Sequence, residues 1–144
     1  MFERYSEEAK RALFFARYAV AEHGGTQLEP EHLLLGVLRA DPEAVLRFAA
    51  ADVPIDAIRA RLVANVADDA KLPATHEIRF SERSRIALER AQVEADDLSD
   101  ANIRPEHLIL GLLVKTSGEA NVVLRDAGVQ MSAMRQFLSR QGER

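Results

Sequence analysis

The fold class this sequence predicts is all-α, built as two tandem four-helix repeats related by a pseudo-two-fold axis. Three observations predict it. First, Leu28-Glu29-Pro30-Glu31-His32-Leu33-Leu34-Leu35-Gly36-Val37-Leu38 returns as Ile103-Arg104-Pro105-Glu106-His107-Leu108-Ile109-Leu110-Gly111-Leu112-Leu113, with Pro30 and Pro105 75 positions apart (105 − 30). A fixed period of this kind marks a duplicated unit. Second, apolar residues around both copies recur at i, i+3, i+4, the spacing of one helix face. Third, no alternating run is long enough for a useful strand. The repeats are expected over about residues 2–67 and 80–141 of one domain spanning 1–144, with a linker over about 68–79.

The first helix is expected from about Ser6 to Glu22. Ser6 is a good N-cap, since its hydroxyl can accept a free first-turn N–H. Glu7 and Glu8 follow where the helix dipole favours negative charge. Ala9, Ala12, Leu13, Ala16 and Val20 form the apolar stripe, Phe14, Phe15 and Tyr18 lie off it, and Gly24-Gly25 ends the helix. Pro30 opens the second helix at a position where its missing N–H costs nothing. Leucines and valine on nearly every side predict that this helix is central and buried. Gly36 sacrifices about 1 kcal/mol of helix propensity relative to Ala, which a close helix–helix approach would explain, and it recurs as Gly111.

Asp41-Pro42-Glu43 predicts a third helix near 42–51, and a fourth starts near Pro54 with Ile55, Ile58, Leu62 and Val66 on one face. Residues 68–79 carry a proline, mixed charge and no periodicity. The plan then repeats: Tyr5-Ser6-Glu7 corresponds to Phe80-Ser81-Glu82, and Ala12, Leu13 and Ala16 to Ala87, Leu88 and Ala91. One inserted residue near Ser117-Gly118 changes the offset to 76, after which Ile55, Ile58 and Leu62 match Met131, Met134 and Leu138. Gly128 closes the seventh helix.

Composition narrows the function. A net charge of −4 argues against a nucleic-acid module, which needs a basic patch to neutralise phosphates. The absence of cysteine excludes disulfides, thiolate nucleophiles and Cys-based zinc sites. The longest apolar run, Leu33 to Leu38 around Gly36, is far short of the ~20 residues that span a bilayer, so no membrane partner is expected. With no apolar signal core after Met1-Phe2-Glu3-Arg4, cytoplasmic residence is the expectation.

Catalytic constellations are missing. There is no Gly-Lys-Ser/Thr phosphate loop and no His-Glu-x-x-His. Glu31 and His32 are adjacent, so they point about 100° apart and make a poor chelating pair. No enzyme, metal or cofactor is expected. One pattern invites a ligand: Ser6 with Glu31, repeated as Ser81 with Glu106, each pair 25 positions apart (31 − 6 and 106 − 81). If the helix starts converge, they offer free N–H groups for an anion and a carboxylate for a cation, which suits a guanidinium bearing a phosphate. Plain capping by the serines and dipole stabilisation by the glutamates explain the same residues.

The two units, each with a serine at the first helix start and a Pro-Glu-His-Leu-Leu-Leu-Gly-like second helix, resemble the N-terminal domain of the Clp (Hsp100) AAA+ unfoldases. The opening Met1-Phe2-Glu3-Arg4-Tyr5-Ser6 looks most like the ClpC branch, and the resemblance runs from Phe2 to about Leu138. It implies a helical domain without activity of its own that receives substrate and adaptor proteins. In ClpC-like members each repeat also holds a phosphoarginine mark, using a Thr at the first helix start and the Glu of a Thr-Glu-His segment. Those positions are Ser6 with Glu31 and Ser81 with Glu106 here. ClpC-like members have Gly-Thr before the glutamates, whereas Glu29-Pro30 and Arg104-Pro105 stand here, closer to the ClpB-like pattern.

The resemblance also places an adaptor- and peptide-binding surface at the starts of the first helices, around Phe2 and Phe80, which could equally be hydrophobic staples for those starts. Expected partners are thus substrate and adaptor proteins of a Clp unfoldase, including phosphoarginine-bearing ones. The alternative is a small-molecule or cyclic-peptide receptor using a crevice between the two first helices. Such a chain would work as an excised domain of an unfoldase or as a stand-alone protein competing for the same ligands.

Overall fold

A computed structural model describes residues 2–68 and 77–142. Within them lie α1 (Glu7–His23), α2 (Pro30–Ala40), α3 (Glu43–Leu46), α4 (Ile55–Val66), α5 (Glu82–Asp97), α6 (Pro105–Leu112), α7 (Glu119–Asp126) and α8 (Met131–Gly142). A 3-10 turn at Lys115–Ser117 separates α6 from α7. No strand forms among the described residues. Residues 69–76, the middle of the expected linker, lie outside them.

The helix starts follow from their residues. Ser6 Oγ accepts the Ala9 N–H at 3.2 Å and Ser81 Oγ the Ser84 N–H at 3.1 Å, satisfying donors that the helix leaves free. At α2 and α6 the cap comes from inside the helix. His32 Nδ1 accepts the Glu29 N–H at 3.0 Å, and His107 Nδ1 accepts the Arg104 N–H at 2.9 Å. Each histidine is therefore the tautomer protonated on Nε2. The structure thus gives both histidines a specific backbone role.

α2 and α6 form the centre, buried from Pro30 to Leu38 and from Pro105 to Leu112. The close approach expected at the glycines is present. A Cβ on Gly36 would lie 2.1 Å from the Ala12 carbonyl oxygen of α1, and one on Gly111 2.1 Å from that of Ala87 in α5. Backbone therefore meets backbone at each crossing, and only hydrogen fits between.

One helix is shorter than expected, and another is shorter than its twin. α3 ends at Leu46, short of residue 51, and the chain goes on in single turns until the Ala50 N–H bonds the Ala127 carbonyl at 2.9 Å. A partner in the other repeat takes that N–H from the local helix ladder. α6 ends at Leu112 while its twin α2 reaches Ala40, because the inserted residue is absorbed in the 3-10 turn and in Gly118 at φ 58°.

The repeats are interlocked. Arg61 on α4 pairs with Glu119 at 2.7 Å and Asp126 at 2.8 Å on α7. Phe137 on α8 meets Phe48, just after α3, edge to face with ring centres 5.4 Å apart. Each fourth helix thus leans on the third-helix region of the other repeat. The segments before the helices also cross over, in two parallel single bridges, Tyr5 with Ile103 and Leu28 with Phe80.

Candidate functional site

The crossover decides which expected site residues meet. His32 Nε2 lies 3.3 Å from the Gly24 carbonyl, so α2 begins where α1 ends. Ser6 stands at the opposite end of that 17-residue helix, roughly 25 Å away at 1.5 Å per residue. In the second repeat Arg104 bonds the Asp100 carboxylate at 2.7 Å, just past the end of α5, with Ser81 again at the far end. The same-repeat pairs Ser6 with Glu31 and Ser81 with Glu106 are therefore not brought together.

What meets is the opposite repeat. The Ser6 N–H donates to the Ile103 carbonyl at 2.9 Å and the Ile103 N–H to the Arg4 carbonyl at 2.8 Å. The Ser81 N–H donates to the Leu28 carbonyl at 3.0 Å, and the Leu28 N–H to the Arg79 carbonyl at 2.8 Å. Ser81 thus sits at the threshold of the helix carrying Glu31, and Ser6 at that of the helix carrying Glu106. Two equal offsets are compatible with pairing within a repeat or between repeats, so spacing alone does not distinguish them.

The two seats differ in charge. Glu31 is 2% exposed and fully engaged. Its Oε1 pairs with Arg83 Nη2 at 3.2 Å, and its Oε2 accepts the Ala120 N–H at 3.3 Å in the first turn of α7. Arg83 also pairs with Glu29 at 3.2 Å. A guanidinium of the chain itself therefore occupies the place beside Glu31. The corresponding position in the first repeat is Glu8, of opposite charge (83 − 75). Glu106, 7% exposed, pairs instead with Arg47 from the end of α3, at 3.6 Å. Sequence reading missed Arg83. Its signal was a cation in the first turn of α5, where the dipole disfavours it.

The histidines beside these glutamates are held neutral. Burial pushes the His107 imidazole down to about 4, against the raising influence of Asp100, and burial lowers His32 as well. Neither is poised for proton transfer near neutral pH.

Phe2 and Phe80 meet across the pseudo-two-fold, edge to face with centres 6.0 Å apart, and Phe2 packs likewise on Tyr5 at 5.0 Å. Beside them opens a cavity of about 390 Å³, lined by Phe2, Tyr5, Phe80, Leu88 and Ile103 with Arg85 and Glu89 among its charged residues. Burial raises the Tyr5 hydroxyl to about 12, so it stays protonated. On the α1 side the Arg17 guanidinium lies 5.8 Å over the Phe80 ring, where its counterpart on the α5 side is the uncharged Gln92.

A duplicated helical hairpin with crossed helix starts has a counterpart in known proteins. The family model for the Clp repeat (R) N-terminal domain matches residues 4–127 and again 79–144. The chain belongs to the Clp N-terminal domain family. Among its relatives, the chloroplastic chaperone ClpD2 of Oryza sativa is 32% identical over 149 aligned positions, covering 99% of this chain. The negative regulator of genetic competence ClpC/MecB of Bacillus subtilis is 27% identical, covering 94%. The chain spans only 16% and 17% of the length of those two proteins. The crystal structure of the N-terminal domain of ClpD from Arabidopsis thaliana superposes with a TM-score of 0.73 at 25% identity, covering 100% of both chains. The Clp repeat motifs read from the sequence and the fold they imply are those of this family. No helix among the described residues is long and apolar enough to cross a membrane.

Proposed function

We propose that this Clp N-terminal domain is a non-catalytic module that captures substrate or adaptor proteins of a Clp unfoldase through the crevice at Phe2 and Phe80. The observation that supports this reading most is the crevice itself, an apolar hollow of about 390 Å³ at the junction of both repeats. Apolar walls bury a side chain of a bound segment, while Arg85 and Glu89 offer polar contacts for its backbone. Its volume also suits a hydrophobic small molecule or cyclic peptide, which would then compete with the protein ligand.

Phosphoarginine-marked proteins are the finer ligand class. In this geometry the mark would face Ser81 with Glu31, or Ser6 with Glu106. In the first seat it has to displace Arg83 from a buried carboxylate. In the second it meets the longer contact to the exposed Arg47. The Glu106 seat is therefore the one we assign to a phosphoarginine.

One set of titrations separates these readings. An unfolded, chemically reduced protein should bind the domain, and Phe80→Ser or Leu88→Asp should weaken it by roughly tenfold or more. Binding that ignores both substitutions would contradict the crevice reading. Free phosphoarginine should bind in a manner lost in Glu106→Ala and retained in Glu31→Ala. No binding, or equal dependence on both, would remove the phosphoarginine assignment and leave the crevice standing.

A further inference from the structure

The outer face of α1 has a composition that its fold does not require. Phe14 is 62% exposed and Tyr18 51%, in a chain whose other aromatic rings are at least partly buried among the described residues. Phe14 and Phe15 meet edge to face at 5.6 Å. The corresponding positions of α5 hold Glu89, Arg90 and Val93, and α5 packs on α6 as α1 packs on α2. Helix packing therefore needs no aromatic at positions 14, 15 or 18. Exposed aromatic rings cost solubility unless something covers them.

The charge around the rings indicates what that is. Arg39 stacks over Phe15 at 4.3 Å and over Tyr18 at 5.1 Å. Stacking uses the flat faces of a guanidinium and leaves its in-plane N–H donors pointing outward, ready for a bidentate carboxylate. Arg11 and Arg39 are exposed, and among the described residues neither has a carboxylate within ion-pair distance. Two arginines without a carboxylate therefore stand beside exposed rings in a chain of net charge −4. Beside the rings a depression of about 410 Å³ is lined by Leu35 and Val63, with Glu22 as the carboxylate on its wall. Apolar surface, a stacked cation and a hollow thus lie together, and the hollow shares no lining residue with the Phe2–Phe80 crevice.

We propose that this face of α1, with Phe14, Phe15 and Tyr18 beside Arg11 and Arg39, is a second docking surface for an acidic protein segment carrying an apolar or aromatic anchor. The anchor packs on Phe14 and Tyr18 and enters the hollow beside Leu35. Its neighbouring carboxylates take the outward donors of Arg39 and Arg11. Because only one repeat carries these residues, the domain holds one such segment. This surface does not depend on the crevice reading and would survive its failure.

The test is a selection of displayed random short peptides on the domain, with counter-selection on a Phe14→Ser/Tyr18→Ser/Arg39→Glu variant. All three positions are exposed, so the variant is expected to fold, which its circular dichroism and melting midpoint verify. The expected outcome is enrichment of peptides pairing Asp or Glu with a Leu, Phe or Trp. Arg39→Glu alone should weaken the winning peptide roughly tenfold or more, and Phe80→Ser should leave it unchanged. Added salt should weaken it further. Enrichment of neutral or basic peptides, survival of the winners through counter-selection, or dependence on Phe80 would each overturn the proposal. So would a concentration-dependent dimer that Arg39→Glu dissolves, since the occupant would then be a second copy of the chain.

Discussion

Gly36 shows what single residues decide in this domain. Its absent side chain lets α1 and α2 touch, and a methyl group there would stand 2.1 Å from a backbone oxygen. Alanine would gain about 1 kcal/mol of helix propensity but must push two helices apart inside a close-packed core. Gly36→Ala and Gly111→Ala should each lower stability by about 2–4 kcal/mol in urea unfolding. A neutral or stabilising result would mean that the crossings are looser than described.

His107 links the stability of the domain to pH. In the unfolded chain an imidazole titrates near about 6.5. In the fold burial holds His107 down to about 4. Between those values the unfolded state takes up a proton that the folded state refuses, so stability is complete above the upper value and falls as pH drops. Each unit within the window costs about 1.4 kcal/mol. His32, shifted in the same direction, adds to the slope. Unfolding midpoints should therefore drop between about pH 7 and pH 5. His107→Asn, whose carbonyl can still accept the Arg104 N–H, should flatten that drop. Both glycines announced their role in the sequence. The buried acceptor role of the histidines did not, because it depends on which ring nitrogen faces the backbone.

At the scale of elements, starts were more legible than ends. Ser6, Pro30, Ser81 and Pro105 act through their own neighbours, and each marks its helix within a residue. The ends of α3 and α6 depend on the other repeat and on one inserted residue, so local propensity overshoots the first of them. The two serine caps also differ in a way no period reveals. Ser84, at the position matching Ala9, has its hydroxyl 3.2 Å from Ser81 Oγ and donates to the Leu28 carbonyl at 2.7 Å. This small buried network ties α5 to the threshold of α2. Ser6→Ala should cost about 1 kcal/mol and Ser81→Ala roughly twice that, both read from urea midpoints. Equal losses would show that the network adds nothing to the cap.

For the whole molecule, duplication was the strongest signal and also the source of the main error. The repeat period yields the eight helices, the buried pair at the centre and the pseudo-two-fold relation. It says nothing about which copy's serine faces which copy's glutamate. The crossed segments at Tyr5, Leu28, Phe80 and Ile103 settle that in favour of the opposite repeat. They do so through backbone hydrogen bonds, which leave no trace in residue type. The same crossing brings Phe2 to Phe80 and opens the crevice, so the proposed ligand surface exists only when both repeats are folded against each other. The aromatic face of α1 has no twin and lies outside what symmetry could predict.

Amide chemical-shift mapping tests whether the junction of the repeats captures a protein segment. The isotope-labelled domain is titrated with an unfolded, chemically reduced protein, and the perturbed amides are assigned. The expected result is a set of saturable shifts centred on Phe2, Tyr5, Phe80, Leu88 and Ile103 that disappear in Phe80→Ser. Shifts that avoid those residues, or that persist unchanged in the variant, would contradict it.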